Sequence, residues 1–320
     1  MKRLDPADIE RLASDPARQT SAGPIPPIDL SRPFVPEDQT QLYYTPVYRE
    51  LSRAARLRYN QLFGVRINEY IMVLESDLVE AVFEPLRFHR AVASDPALVR
   101  CIETMIEEER RHYRGFAALN RACFPELYAE SDRYFSGVPW PIRALFRTLR
   151  ILAGPPAFSL WYVMAMEECS TTMARNLTLH PDTETLGPLE PAFSQVHREH
   201  LKDETRHLHI DDHLIDLCLI QASRTRRRLD AALFKWMLGP ITQPTRHGSG
   251  VKVIRELVRQ MPELAGRQSE MIDAVLALGR DRAFQTSLFN RKAMPHTFEL
   301  FDRMEEFHDL GKAMVGYDRP

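Results

Sequence analysis

His200-Leu201-Lys202-Asp203-Glu204-Thr205-Arg206-His207 is the stretch on which the reading of this chain turns. In an α-helix each residue advances by about 100°, so a residue four further on lies about 40° round and one seven further on about 20° to the other side. His200, Glu204 and His207 therefore share one narrow stripe. Two imidazoles and a carboxylate projecting together form a metal-ligand set. Nitrogen and oxygen donors without thiolate suit iron, manganese or zinc.

An earlier stretch, Glu107-Glu108-Glu109-Arg110-Arg111-His112, repeats the chemistry, with Glu109 and His112 spaced as Glu204 and His207 are. In di-iron carboxylate bundles two helices each supply Glu-x-x-His and two others each supply one Glu. Each half of the chain should then carry a lone Glu on an apolar face. The first half has Glu75, whose stripe neighbours are Ile71, Met72, Leu78, Val79 and Val82. A carboxylate buried there needs a cation or a proton. In the second half Glu167 shares its stripe with Leu160, Val163, Met164, Thr171 and Ala174. Glu168 keeps company with Trp161, Met164, Ala165, Thr172 and Arg175. Glu167 is preferred for its more apolar neighbours, and Glu168 stays the alternative. A spacing of 34 residues separates Glu75 from Glu109, and 37 separate Glu167 from Glu204, as an internal repeat requires.

Glu108 and Asp203 stand four residues before His112 and His207. Each acid is expected to face the ring of its own motif's histidine, orienting it and raising its basicity. Ion pairs on solvated helix faces account for Arg110, Arg111, Lys202 and Arg206. They do not account for Glu75 among aliphatics, or for the order Glu, Glu-x-x-His, Glu, Glu-x-x-His. His209 and His213 are rotated by about 160° and 120° from His207 and should leave the stripe. His89, His180, His197, His247, His296 and His308 have no partner at ligand spacing.

The rest of the chain fits a helical frame. Of its 320 residues 44% are apolar and only 13 are glycine, and clear alternating strand patterns are hard to find. The fold class is therefore all-α, a ferritin-like helical bundle with additional C-terminal helices. Residues 1–40 form a Pro-rich N-terminal arm, carrying Pro6, Pro16, Pro24, Pro26, Pro27, Pro33 and Pro36. Residues 41–320 read as a single domain, with the metal-binding helices within 60–220 and the C-terminal helices within 228–315. Helices are expected over 45–62, 64–90, 96–122, 157–179, 189–222, 228–239, 249–262, 267–280 and 295–315, and a crossover with a short helix near 141–151. A net charge of -2 gives no push towards nucleic acid or an anionic membrane. No apolar run is long enough to span a bilayer, and none follows the basic start as a secretory signal would require. Cys101, Cys123, Cys169 and Cys218 lie apart, which fits a reducing cytoplasm. The cluster Arg224, Arg226, Arg227, Arg228 reads as a solvated helix end.

Over about residues 60–220 the chain resembles the AurF-like N-oxygenases, the di-iron family that includes p-aminobenzoate N-oxygenase. Their pattern, Glu followed by Asp/Glu-Glu-x-x-His and given twice, is matched by Glu75, Glu108-Glu109-Arg110-Arg111-His112, Glu167 and Asp203-Glu204-Thr205-Arg206-His207. His200 holds the place of the family's third histidine, and Cys169 beside Glu167-Glu168 agrees with Glu167 as the matching acid. Glu108 stands where Asp is more usual, which predicts a longer contact to its histidine. The resemblance implies two iron ions and the use of O2 to oxygenate an amine, arylamine or amino-acid-like, to the hydroxylamine, nitroso or nitro level, in natural product biosynthesis. Glu109 and Glu204 would bridge the ions, Glu75 and His112 would complete one, and Glu167, His200 and His207 the other. Manganese or a mixed Mn/Fe pair suits the same ligands. No flavin or nicotinamide fingerprint is visible, so electrons are expected from a separate reductase or carrier.

Met72, Leu74, Met164, Met166 and Thr171 are the expected substrate-pocket walls. Phe284, Phe289, Phe298 and Phe301 are expected to form a lid or the surface of a homodimer. The same metal motif would serve C–H hydroxylation, desaturation or oxidative cleavage, and an iron-storage role is the alternative of another class.

Overall fold

The computed structural model describes residues 3–15, 24–138, 140, 143, 144, 148 and 157–318, and among these it is helical, with no β-strand. The main helices are α1 (Pro6–Ala13), α2 (Arg53–Val73), α3 (Pro96–Cys123), α4 (Leu160–Leu179) and α5 (Pro191–Ile215). They are followed by α6 (Arg224–Thr242), α7 (Ser249–Gln260), α8 (Gln268–Ala277), α9 (Arg282–Leu288) and α10 (Pro295–Asp302). The short helix expected near 141–151 lies largely outside the described residues. None of the described helices is long and apolar enough to cross a membrane.

Local chemistry sets the helix starts. The Ser52 hydroxyl accepts from the Ala55 N–H, Asp95 from those of Ala97 and Leu98, and Glu190 from that of Phe193. Pro96 and Pro191 follow two of these caps, where a missing N–H leaves nothing unsatisfied. The ends of α2 and α5 are less ordinary. Past Val73 the chain widens into a π-helical segment, Leu74–Phe83, after which the Glu84 N–H donates to the Val79 carbonyl five residues back. Past Ile215 it widens again over Asp216–Ile220, and the Gln221 N–H donates to the Asp216 carbonyl. Such wide turns change which residues share a face and are frequent at functional sites.

Helices α2 to α5 form the central bundle, with α4 against α5, α2 against α3, and α3 against α5. One apolar cluster takes Leu62 and Val65 from α2, Leu119 and Cys123 from α3, and Phe193 from α5. A second takes Leu78 and Val82, Ile102 and Met105 of α3, Val163 of α4, and Leu214 of α5. Between these positions fall Glu75, the pair Glu109 and His112, and the trio His200, Glu204 and His207. Each fully buried large aliphatic side chain contributes roughly 1.5–3 kcal/mol. The two apolar plugs therefore hold the helices together and clamp a polar layer between them.

Several sequence expectations shift. The break expected between 62 and 64 is absent, because Gly64 sits inside α2. A Cβ there would lie 2.9 Å from Phe34 Cβ and 3.3 Å from the Phe193 ring, so the missing side chain admits that stacked pair. The real break is at Leu51–Ser52, where Ser52 caps a new helix. The helix expected over 295–315 stops at Asp302 and continues as 3-10 turns at Glu305–Phe307 and Leu310–Lys312. Helix α9, capped by Asp281, was not anticipated. Phe284, Phe289, Phe298 and Phe301 are all buried within the chain, which removes them from the expected lid or dimer surface. Phe301 packs against Phe234, Phe307 and Tyr317, and Phe284 against Tyr44. In the basic cluster Arg224, Arg226 and Arg227 pair with Glu305, Asp230 and Glu306.

The connection leaving α3 is tied back onto α2 by one buried carboxylate. Glu69 accepts from the Tyr128 hydroxyl and from the N–H groups of Tyr134, Phe135 and Ser136 at 2.6–2.9 Å. An amide in its place would turn an NH2 group towards those donors. Glu69→Gln is expected to destabilise the fold by about 2–4 kcal/mol, read by urea denaturation. A change inside ~0.5 kcal/mol would show the anchor to be dispensable.

Candidate metal centre

Seven side chains from α2's π-helical extension, α3, α4 and α5 converge in the polar layer. Glu75, Glu109, His112, Glu167, His200, Glu204 and His207 are all buried. Their donor atoms fall into three overlapping groups: Glu75, His112 and His200; Glu109, His112 and Glu204; and Glu109, Glu167 and His207. His200 Nε2 lies 3.0 Å from Glu75 Oε1 and 3.1 Å from Glu204 Oε1. His207 Nδ1 lies 2.9 Å from Glu109 Oε1 and 3.3 Å from Glu204 Oε1. Glu204 and Glu109 therefore stand between two ends, one holding Glu75, His112 and His200, the other Glu167 and His207. The expected partition placed His200 with Glu167 and His207; here its Nε2 groups with Glu75 and His112. His200 precedes His207 by nearly two turns, about 10 Å along the helix, and that rise carries it to the Glu75 end.

The acids behind the histidines are exchanged relative to expectation. His112 Nε2 meets Asp203 Oδ2 at 2.9 Å, and His207 Nε2 meets Glu108 Oε2 at 2.9 Å. Each acid thus braces the histidine of the other motif. Within one helix an i, i+4 acid reaches the flank of a ring, whereas a facing helix can meet the outer nitrogen head-on. The longer contact expected of Glu108 is also absent, since the two distances are equal. Arg206 ties the braces together, donating to Glu108 and, at 2.8 Å, to Asp203 Oδ1. Arg111 lies 3.7 Å from the same two acids. Two carboxylates and two guanidinium groups leave this outer layer close to neutral.

The inner layer has no such compensation from protein. Both oxygens of Glu75, one oxygen each of Glu167 and Glu204, and the inward nitrogens of His112 and His207 make no well-formed hydrogen bond. Buried polar atoms without partners are rare in folded proteins, and here they face one another. Protonation equilibria show the same deficit. Burial opposes charge on His112, yet Asp203, Glu109 and Glu75 lift it to about 10. On His207 burial is likewise outweighed, by Glu109, Glu204 and Glu108, and the ring sits well above its usual range. Burial pushes Glu75 and Glu167 well above the carboxylate range. Burial and the neighbouring His112 push His200 well below its own. Protons stand where cations would otherwise balance the charge, so the donor set fits a pair of metal ions.

Glu168 is engaged elsewhere. Its two oxygens accept from the N–H groups of His296 and Thr297 at 2.9 Å, capping the start of α10. Glu167 is the acid of the pair that reaches the cluster. His209 and His213 turn away as expected and hold the Leu4 backbone. His197 is a core histidine bonded to Asn68. Asp211 is the residue the sequence reading missed. It is fully buried, interacts with Glu167, and is pushed by burial up to about 8. It stands four residues after His207, so extending the stripe by one turn would have found it.

A small cavity opens beside the cluster. Leu74 and Met166 line it together with Ile71, Val79, Phe83, Val163 and Ser170. Met72, Met164 and Thr171, also expected there, are buried in the surrounding core instead. The reason is helical phase. Positions −4 and −1 from Glu75 (Ile71, Leu74) and from Glu167 (Val163, Met166) lie on one flank, while position −3 lies about 60° to the other side.

A buried layer of carboxylates and imidazoles on four central helices defines an all-α, ferritin-like carboxylate–histidine protein. The chain belongs to the p-aminobenzoate N-oxygenase AurF family, whose profile matches residues 9–276. No curated protein matches it.

Metal loading must displace the protons described above, because His112 binds through a nitrogen that carries one below about pH 10. Proton competition strengthens as pH falls. Calorimetric titration with ferrous iron at pH 7 in two buffers of different ionisation enthalpy is expected to show release of about two to four protons per chain, with affinity at least ~tenfold weaker at pH 6 than at pH 8. Uptake without proton release would show that the empty layer does not hold these protons. Glu167→Ala should lose bound metal, whereas Glu168→Ala should keep it and lower the melting temperature.

Proposed function

We propose that the protein is a non-haem di-iron N-oxygenase that uses O2 to oxygenate the nitrogen of an arylamine. The observation that carries this reading is the convergence of four buried carboxylates and three buried imidazoles, with inward atoms of Glu75, Glu167, Glu204, His112 and His207 left without a well-formed hydrogen bond. Membership of the p-aminobenzoate N-oxygenase AurF family supports the choice of reaction.

Glu75, His112 and His200 would hold one iron and Glu167 and His207 the other, with Glu109 and Glu204 shared. When bound, the iron pair supplies reductive activation of O2. The residues of the chain supply the rest. Four glutamates neutralise two ferrous ions, so the loaded layer carries little net charge and is tolerated in the interior. Asp203 and Glu108 fix the outer nitrogens of His112 and His207, which keeps the inner nitrogens free to bind. Ile71, Leu74, Val79, Phe83, Val163 and Met166 exclude water from the space next to the donors. The first oxygenation converts R–NH2, O2, two electrons and two protons into R–NHOH and water. A separate reductase or electron carrier provides the electrons, and further rounds would lead to nitroso and nitro products in a biosynthetic pathway.

Metal analysis of the purified protein is expected to give about two irons per chain, reduced in Glu204→Ala and His207→Ala. Hydrogen peroxide added to the diferric protein with a panel of arylamines should yield N-oxidised products. One zinc per chain, or no N-oxidised product from any amine, would overturn the proposal.

A further inference from the structure

The space beside the seven donors has two kinds of wall. One is the donor layer itself, with Glu75, Glu109, Glu167, His200 and Glu204 facing it. The other is the apolar wall already described. Among the described residues, Ser170 is the one lining residue that belongs to neither. Its hydroxyl oxygen is buried and makes no hydrogen bond. A serine or threonine within a helix commonly returns its hydroxyl to the carbonyl four residues back. Ser76 does so to Met72, and Thr178 to Ala174. The Ser170 hydroxyl departs from this habit at the place where its residue borders the cavity.

The lining also lacks a cation: among the described residues it contains no arginine or lysine. Arg111 and Arg206 face Glu108 and Asp203 on the far side of the histidines. Arg66 donates to Ser249 and lies over the Phe63 and Tyr70 rings. Arg133 pairs with Asp77. A carboxylate entering this space would give up its hydration and find no guanidinium or ammonium among the described lining residues to replace it. The space is about 20 Å³, room for little more than one water, so a neutral ring or alkyl body would gain by leaving water only as the apolar wall moves aside for it. Met166, unbranched and adaptable, is the wall residue best suited to make room for it.

We propose that this chain selects an amine with an uncharged, apolar body lacking a carboxylate, and that the Ser170 oxygen accepts a hydrogen bond from the substrate's amino group. The inference rests on the N-oxygenase reading for the amine. It concerns binding, however, and is measurable apart from turnover. A primary amine supplies the donor that the Ser170 oxygen lacks, and holds its nitrogen one helical turn from Glu167.

The test is calorimetric binding to the iron-loaded protein of 4-methylaniline and 4-aminobenzoate, which differ only in methyl against carboxylate, with toluene as the amine-free control. We expect 4-methylaniline to bind at least ~tenfold more tightly than 4-aminobenzoate. Ser170→Ala should weaken 4-methylaniline by about three- to tenfold and leave toluene unchanged. Met166→Lys should shift preference towards 4-aminobenzoate. Equal or tighter binding of 4-aminobenzoate by the unaltered protein, or no measurable binding of 4-methylaniline, would overturn the proposal. Equal losses for 4-methylaniline and toluene in Ser170→Ala would overturn the role given to the hydroxyl. Product analysis on the same samples separates the two readings. Preference for the neutral amine without any N-oxidised product supports the binding inference and removes the N-oxygenase assignment. Faster N-oxidation of 4-aminobenzoate does the reverse.

Discussion

Four glutamates buried around three histidines form a layer that the protein alone cannot neutralise. Glu75, Glu109, Glu167 and Glu204 are each less than a tenth exposed, and the two arginines near them face the acids behind the histidines. The apolar plugs on either side keep water from screening the layer. Charge must then be balanced by protons or by metal ions, and the histidine and carboxylate equilibria show how far protons are drawn in. The displaced histidine and carboxylate equilibria and the fit of the donors to a pair of cations both follow from that one electrostatic requirement.

The outer layer solves a different problem. A histidine that is to bind a cation needs its ring held at one angle with its proton on the outer nitrogen. Glu108 and Asp203 do this from the facing helix, and Arg206 links them. Rotation of α3 against α5 would strain both histidine contacts together. The geometry of the inner donors is therefore governed by the packing of two helices and not by the rotamers of single side chains.

Much of this was legible in the residues. Spacing of three and four along a helix fixes which side chains share a face, so the set Glu75, Glu109, His112, Glu167, His200, Glu204 and His207 that the structure brings together was readable from periodicity. The preference for Glu167 over Glu168 followed from the apolar company of its stripe. What spacing does not carry is the relation between helices. The exchange of Glu108 and Asp203 and the placement of His200 with Glu75 depend on how α3 and α5 face each other and on their offset along the axis. The π-helical stretch over Leu74–Phe83 was hidden because its sequence is also compatible with an α-helix. The break expected at residue 63 is absent, and the close approach of Gly64 to Phe34 and Phe193 shows only in the tertiary packing. Asp211 needed no tertiary knowledge, only one more turn of the stripe already in hand.

The reciprocal bracing carries a consequence for how such a chain can diverge. A doubled motif would ordinarily leave each copy free to drift, one half compensating in its own neighbourhood for what it loses. Here Glu108 answers to His207 and Asp203 to His112, so an amino-acid change in either copy has to be matched in the opposite one. The two halves inherit their constraints from each other, and a lineage that abandons one motif forfeits the support of the second.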